Sequence, residues 1–376
     1  MSLHNSYPAL SDLRSRAKRR IPHFVWEYLD SATGVEATKA RNRSKLDEIQ
    51  FTPSILHGEI EPDLSVELLG RKYPMPVGVA PVGMSGLIWP GAEQMLARTM
   101  AREGLPYGLS TVASQLPEDV GPHAGDQGWF QIYPPRDPVI RDDILKRAKD
   151  SGFHTLIMTL DAPAPSRRER QTRGGLQQPP KITPRLAMQV ATCPEWLLGI
   201  QKTGMPRLKL MESYSNHKGS LPSNNHIGYL LRTSPDWDYL DAMRKAWDGP
   251  LVVKGVQDHR DVARLESAGV DAIWVSNHAG RQFDGGPGTI EGLEPIADAA
   301  NVPVIFDSGI EGGLDILRAL AKGADFVMMG SGFHYALGAL GEQGAAHLLD
   351  ILRQDMVSNM QQIGATNLNE LGKKLR

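Results

Sequence analysis

Short apolar runs alternate with longer stretches of helical period along most of this chain. The apolar runs fall at Pro76–Ala80, Tyr107–Ser110, Gly128–Tyr133, Thr155–Leu160, Leu251–Lys254, Ala272–Val275, Val304–Phe306 and Phe326–Met329. Each is too short for a helix and apolar on both faces, the pattern of a strand buried in a parallel sheet. Segments of helical character, among them Gly91–Glu103, Pro138–Ser151, Asp258–Ala268 and Gly312–Lys322, lie between them. Such alternation predicts an α/β fold with crossover helices. Eight strands with no break in the alternation predict a closed (β/α)8 barrel in one domain, 1–376. No GxGxxG follows any of the strands, which argues against a dinucleotide-binding doubly wound sheet.

Two regions depart from the alternation. Residues 1–75 precede the first barrel strand and are expected to form helices and a short strand region ending near Gly70. Residues 162–235, between the fourth and fifth strands, are rich in Pro, Gly, Ser and Asn. Long connections of this kind are usually functional. This one leaves the catalytic face of the expected barrel, so it is read as a lid-like insertion.

Composition narrows the class of protein. The chain has 376 residues, is 41% hydrophobic and 22% charged, and has a formal net charge of −2. That balance argues against a nucleic-acid partner, which usually meets a basic excess. A single cysteine, Cys193, excludes an intrachain disulfide and suits a reducing, cytoplasmic setting. No CxxC or HExxH spacing suggests a metal site. The N-terminus lacks the apolar core of a signal peptide, and no run approaches the roughly 20 apolar residues of a membrane span. The basic run Arg14, Arg16, Lys18, Arg19, Arg20 reads as the solvated face of a helix, with contact to an anionic membrane surface as the alternative.

The polar residues that could carry chemistry collect at the ends of the expected strands. Ser110 closes the second, Gln131 and Tyr133 the third, Thr159 and Asp161 the fourth, and Lys254 the fifth. Ser276 and His278 follow the sixth, Asp307 the seventh, and Gly330-Ser331 the eighth. Any one of these alone reads as a strand cap. Together they fill the C-terminal rim, where barrels of this kind keep their active sites. His278 offers the side chain best suited to proton exchange near neutral pH, and a carboxylate such as Asp161 would orient it. Arg281 and Arg168 each present a planar fork to a carboxylate. Lys254 leaves an apolar strand and so needs an anion or an electron-rich cofactor; a structural pair with an aspartate is the plainer reading.

These residues together resemble the FMN-dependent L-2-hydroxy acid oxidases and dehydrogenases, the family of glycolate oxidase, L-lactate and mandelate dehydrogenases and the flavin domain of flavocytochrome b2. The likeness runs from about Ile21 to the C-terminus. It is carried by Trp26-Glu27-Tyr28, Met75-Pro76-Val77-Gly78-Val79-Ala80-Pro81, Trp129-Phe130-Gln131-Ile132-Tyr133 and Thr159-Leu160-Asp161-Ala162-Pro163. Arg167-Arg168-Glu169-Arg170, Val252-Val253-Lys254-Gly255, Ser276-Asn277-His278-Ala279-Gly280-Arg281 and Asp307-Ser308-Gly309 complete it. Asp307-Ser308-Gly309-Ile310 and Trp247-Asp248-Gly249-Pro250 look most like the bacterial L-lactate dehydrogenase branch.

The resemblance implies that His278 takes the substrate proton with Asp161 as its partner. It implies that Arg281, Arg168 and Tyr28 hold the carboxylate, that Tyr133 meets the hydroxyl, and that Lys254 stabilises negative charge on the reduced flavin. Pro81, Val82, Gly83, Ser110, Gln131, Thr159 and Ser276 would line the flavin ring. Asp307, Ser308, Gly309, Gly330 and Ser331 would belong to the loops around its phosphate. A homotetramer is implied as well, and association with a membrane through 162–235 would be peripheral. Oxygen, a quinone and a cytochrome all remain open as electron acceptor, as do hydride and carbanion routes.

Several positions depart from the family pattern. Glu311 and Ser331 stand where the family places phosphate-binding arginines, leaving backbone amides and a supplement from His334. Val112 replaces a bulky aromatic, Pro134 and Pro135 follow Tyr133, and Ala279 replaces a glycine common among relatives. The smaller Val112 leaves room for a substrate bulkier than glycolate. The phosphate-site changes imply weakened FMN, and keep open a cofactor-free barrel with a binding or regulatory role. Another flavin-dependent reaction is the further alternative.

Overall fold

A computed structural model describes residues 2–176, 183–214 and 233–376. Eight parallel strands close a barrel: β3 (Val77–Val79), β4 (Tyr107–Ser110), β5 (Gly128–Ile132), β6 (Thr155–Thr159), β7 (Leu251–Val256), β8 (Ala272–Val275), β9 (Val304–Phe306) and β10 (Phe326–Met329). β10 pairs with β3 to complete the ring. Nearly every residue of these strands is buried, because one face packs into the barrel and the other lies under a helix. The expected (β/α)8 barrel is therefore the observed fold, with strand ends matching to within two residues.

Two local features depart from the simple alternation. The expected helix Asp258–Ala268 forms as a 3-10 turn, His259–Asp261, continued by a short α-helix, Val262–Ser267; the Asp258 side chain accepts the N–H of Arg260 at its start. In β7 the register shifts between Lys254 and Val256. Gly255 at this irregularity has φ +107°, and a Cβ there would lie 2.5 Å from that of Asp161. The bulge needs glycine because the β6 loop passes directly over it.

Before the barrel come α1 (Leu3–Ser6), α2 (Leu10–Arg20), α3 (His23–Asp30), α4 (Ala37–Asp47) and an antiparallel hairpin, β1 (Val66–Leu68) and β2 (Arg71–Tyr73). α2 lies along the helix Ser331–Leu340, with Ala17 against Gly338. The basic run on α2 is a solvated face only in part: Lys18 and Arg19 are exposed, whereas Arg14, Arg16 and Arg20 are held by the fold. Arg16 donates to the Ala339 carbonyl at 2.8 Å, and Arg20 donates to Gly338 and Ala339 and pairs with Glu195. These carbonyls end the helix Ser331–Leu340, where acceptors lack intrahelical donors and the dipole favours cations. Arg14 turns instead to the buried carboxylate of Asp30.

α4 lies against the mouth of the barrel. A Cβ at Gly280 would come within 2.7 Å of the Lys39 nitrogen, and one at Gly309 within 3.0 Å of the Asn42 carbonyl. The loops after β8 and β9 thus rest on α4. Between β6 and β7 the described residues form helices Glu169–Gly174, Pro184–Ala191, Pro194–Thr203, Lys209–Glu212 and Trp237–Ala246. The rest of the 162–235 insertion, residues 177–182 and 215–232, lies outside the described residues. Among the described residues no helix is long and apolar enough to cross a membrane.

Candidate active site

β8 delivers Ser276, Asn277 and His278 to the mouth. The Ser276 hydroxyl accepts the His278 N–H at 3.1 Å. Asn277 is locked to α4 by a reciprocal amide pair with Asn42, at 2.9 and 2.6 Å, and accepts the Gly280 N–H at 3.2 Å. The His278 ring is held from the other side by Asp161, Nδ1 to Oδ1 at 2.9 Å. A carboxylate at Nδ1 selects the tautomer with its proton there, leaving the lone pair on Nε2. Burial pushes the Asp161 carboxyl up, but His278 and Lys254 outweigh it and hold it below the ordinary range. Asp161 is therefore ionised when the site is at neutral pH.

Around this pair the strand ends supply donors and acceptors. Lys254, 5% exposed, donates to Ser276 Oγ at 2.5 Å and pairs with Asp307 Oδ2 at 2.8 Å. The plainer reading of Lys254, an aspartate pair, is thus present, with the ammonium still at the rim. Ser308 donates to Asp307 Oδ1 at 2.6 Å and accepts the Ala279 N–H at 3.0 Å. Ser110 donates to Gln131 Oε1 at 2.7 Å. With its oxygen taken, Gln131 keeps an amide Nε2 that is buried and without a partner among the described residues; Thr159 Oγ1 and Asp161 Oδ2 share that condition. Buried polar atoms normally find partners. Orphans on neighbouring strands at one mouth mark a place for a polar ligand. Pro81-Val82-Gly83 edge the same mouth: a Cβ on Gly330 would lie 3.1 Å from Val82, and Tyr28 donates to the Gly83 carbonyl at 2.8 Å.

Two guanidiniums complete the constellation. Arg281 donates to the carbonyls of Tyr28 at 2.8 Å, Ser31 at 2.6 Å and Leu29 at 3.3 Å, at the end of α3, and lies 5.6 Å from the Tyr28 ring centre. Arg168 donates to Ser166 at 3.0 Å. Among the described residues neither pairs with a carboxylate. Burial first, and then the Arg168 charge, pull Arg281 down to about 10, so it remains a cation at neutral pH. Tyr133 follows β5, where its N–H meets Thr111 at 3.3 Å. Val112 stands at the wall near Tyr28: a Cβ on Gly83 would lie 2.7 Å from Val112 and 3.5 Å from the Tyr28 hydroxyl.

The loops after β9 and β10 are poorer in available charge. Glu311 is exposed and its N–H is taken by Asp315 at 2.9 Å. Arg43 holds Asp315 and the Gly309 carbonyl, at 2.5 and 2.9 Å. Ser331 opens its helix, which leaves the first-turn N–H groups after Gly330 available. His334 does not supplement them with charge. It is buried between Ser85 and the Gly330 carbonyl, at 2.7 and 2.8 Å, and burial holds its pKa at about 4.

The sequence did not point to Asn42, which positions the His278 loop, or to Glu93. The buried Glu93 accepts from Gly86 N and Ser114 and so ties the loops after β3 and β4 together. Asn42 sits in a charged helix with nothing local to mark it. Glu93 carried a signal, being a carboxylate on the apolar face of a helix.

Known proteins resemble this chain over nearly its whole length. A family model described as FMN-dependent dehydrogenase matches residues 17–376. An L-lactate dehydrogenase of Ectopseudomonas mendocina is 37% identical, covering 98% of both chains. One of Haemophilus influenzae is 39% identical, covering 92% of both. The crystal structure of the monotopic membrane protein (S)-mandelate dehydrogenase superposes with a TM-score of 0.92 at 29% identity, covering 98% of both chains.

The turn that carries the histidine is strained. His278 and Ala279 have φ of 55° and 54°, two consecutive residues in the left-handed region, and Ser308 has φ 83°. For Ala279 the side chain gains nothing that offsets this. Ala279→Gly is expected to stabilise the protein by up to about 1 kcal/mol, read as a higher midpoint of chemical unfolding. An unchanged or lower midpoint would show that the turn carries no such strain.

Proposed function

Because the chain belongs to the FMN-dependent dehydrogenase family, we propose that it oxidises an L-2-hydroxy acid to the corresponding 2-oxo acid. The observation that carries this reading is the pair of guanidiniums without carboxylate partners among the described residues, beside a histidine oriented by a carboxylate. Cations enclosed at such a mouth call for an anion, and the planar fork of arginine suits a carboxylate.

The residues at the rim suit the flavin. Gln131 Nε2 and Thr159 Oγ1 are buried and lack partners among the described residues, as hydrogen-bonding edges for a polar ring would. Ser110 and Ser276 complete that lining, with Lys254 as its positive charge. FMN supplies the two-electron acceptor when bound. The protein's own part is to bind, orient and move a proton. Arg281 and Arg168 fix the substrate carboxylate, assisted by Tyr28, and Tyr133 meets the hydroxyl. His278 Nε2 takes the proton, and Asp161 stabilises the imidazolium that results. A cofactor-free binding role would leave the orphaned Gln131 and Thr159 unexplained. An isomerisation would make no use of a base set against two carboxylate-binding cations.

His278→Ala should retain FMN and lower the rate of anaerobic flavin bleaching by an L-2-hydroxy acid by about 10²–10⁴-fold; bleaching at the parent rate would rule out His278 as the base. The small Val112 at the wall should admit side chains larger than that of glycolate. The ratio of kcat/KM for bulkier acids to that for glycolate is expected to exceed one and to fall in Val112→Trp, and equal turnover of all of them would sink the idea. At the phosphate end, one charge-assisted contact contributes about 1.5–3 kcal/mol. Ser331→Arg should therefore tighten FMN by about tenfold or more, measured by quenching of flavin fluorescence. An unchanged dissociation constant would mean that the phosphate is already fully satisfied.

A further inference from the structure

Behind the two substrate-facing guanidiniums lies a compact set of charges that the reaction does not use. Glu27 and Asp30 on α3 are 8% and 6% exposed, and Glu36 precedes α4. Arg170 directs all five of its N–H donors at these three carboxylates. Nε and Nη2 reach Glu27 at 2.7 and 3.2 Å, Nη2 also reaches Asp30 at 3.0 Å, and Nη1 reaches both oxygens of Glu36 at 3.2 and 2.9 Å. Asp30 is shared further: Arg14 donates to it at 2.6 Å, Lys39 lies 3.6 Å away, and the Tyr335 hydroxyl donates at 2.8 Å. Three cations thus face three anions.

The placement of this set matters more than its size. Glu27 and Asp30 interleave with the backbone that holds Arg281, whose acceptors are Tyr28, Leu29 and Ser31, and Glu36 accepts the Ala32 N–H at 2.9 Å just beyond it. Arg168 lies two residues from Arg170, and its N–H approaches Thr33 Oγ1 at 3.4 Å in the same turn. Unneutralised carboxylates here would lie on the same short stretch of chain that carries the acceptors of Arg281 and packs against the Arg168 backbone. A buried anion without a partner is costly and captures a cation within reach.

We infer that Arg170 is a positioning residue that occupies Glu27, Asp30 and Glu36, so that Arg168 and Arg281 stay free for the substrate carboxylate. The inference rests on the proposed role of those two arginines. It differs from a simple clamp in one respect: what Arg170 suppresses is the charge of the carboxylates, so removing a carboxylate should substitute for Arg170.

The test uses the FMN-loaded protein and oxalate, an unreactive dicarboxylate whose binding is followed through the flavin absorbance, together with steady-state kinetics. In Arg170→Gln the oxalate Kd and the KM for the hydroxy acid are expected to rise by about tenfold, with kcat changed far less. Arg170→Lys, which keeps the charge and loses the fork, should recover much of the affinity. Arg170→Gln combined with Glu36→Gln should return the oxalate Kd to within about threefold of the parent value, the non-additivity expected of coupled groups. Undiminished oxalate affinity in Arg170→Gln, or a double variant as weak as the single one, overturns the inference. Arg168→Met separates the two levels of the argument. If it leaves oxalate binding unchanged, the carboxylate-binding reading fails and the inference with it; if it weakens binding while Arg170→Gln does not, only the inference fails.

Discussion

The site depends on keeping positive charge at a partly enclosed barrel mouth without neutralising it. A buried cation ordinarily takes a carboxylate partner or loses its proton. Arg281 does neither, because α3 ends beside it and offers the carbonyls of Tyr28, Leu29 and Ser31. Helix-end acceptors take three hydrogen bonds from Nη1 and Nη2 and add the negative end of the dipole without cancelling the charge. This makes the N-terminal extension part of the candidate site. Without α3 in its place, Arg281 would be both less stable as a cation and free to turn elsewhere.

A second consequence concerns the histidine. Its orientation comes from three separate stretches of chain: Ser276 at the end of β8, Asp161 after β6, and Asn42 on α4 acting through Asn277. The loop accepts two left-handed residues in succession to reach that position. Backbone strain of this sort persists where surrounding contacts overdetermine it, and it collects at functional sites. The glycines at 255, 280 and 309 serve the same end, since each lies where the β6 loop or α4 approaches too closely for a side chain.

The barrel was legible in the sequence because its strands are buried on both faces, which leaves short, continuous apolar runs such as Ala272–Val275 and Val304–Phe306. The rim was legible because residues with chemistry to offer, Gln131, Asp161, Lys254, His278 and Asp307 among them, recur at or just after the C-terminal ends of successive runs. What could not be read depends on residues far apart in sequence. The Arg170 network joins positions 14, 27, 30, 36, 39 and 335, and nothing local distinguishes Arg170 from Arg167 or Arg173. The basic run on α2 looked solvated because the carbonyls that receive Arg16 and Arg20 lie more than three hundred residues away. His334 looked available to supplement the phosphate loop for the same reason: its burial against Ser85 is a tertiary fact. Ala279 showed that a residue change can be read while the φ it must adopt cannot.

On the proposed reading, Arg168 and Arg281 hold a free carboxylate on the substrate. The most direct measurement compares anaerobic reduction of the protein-bound flavin by an L-2-hydroxy acid and by its uncharged methyl ester across a range of concentrations. Saturable reduction by the acid is expected and, for the ester, a second-order rate constant lower by about a hundredfold or more, since the loss of two charge-assisted contacts amounts to about 3 kcal/mol or more. Reduction by the ester as efficient as by the acid would contradict that reading, because the two guanidiniums would then have no part in recognising the substrate.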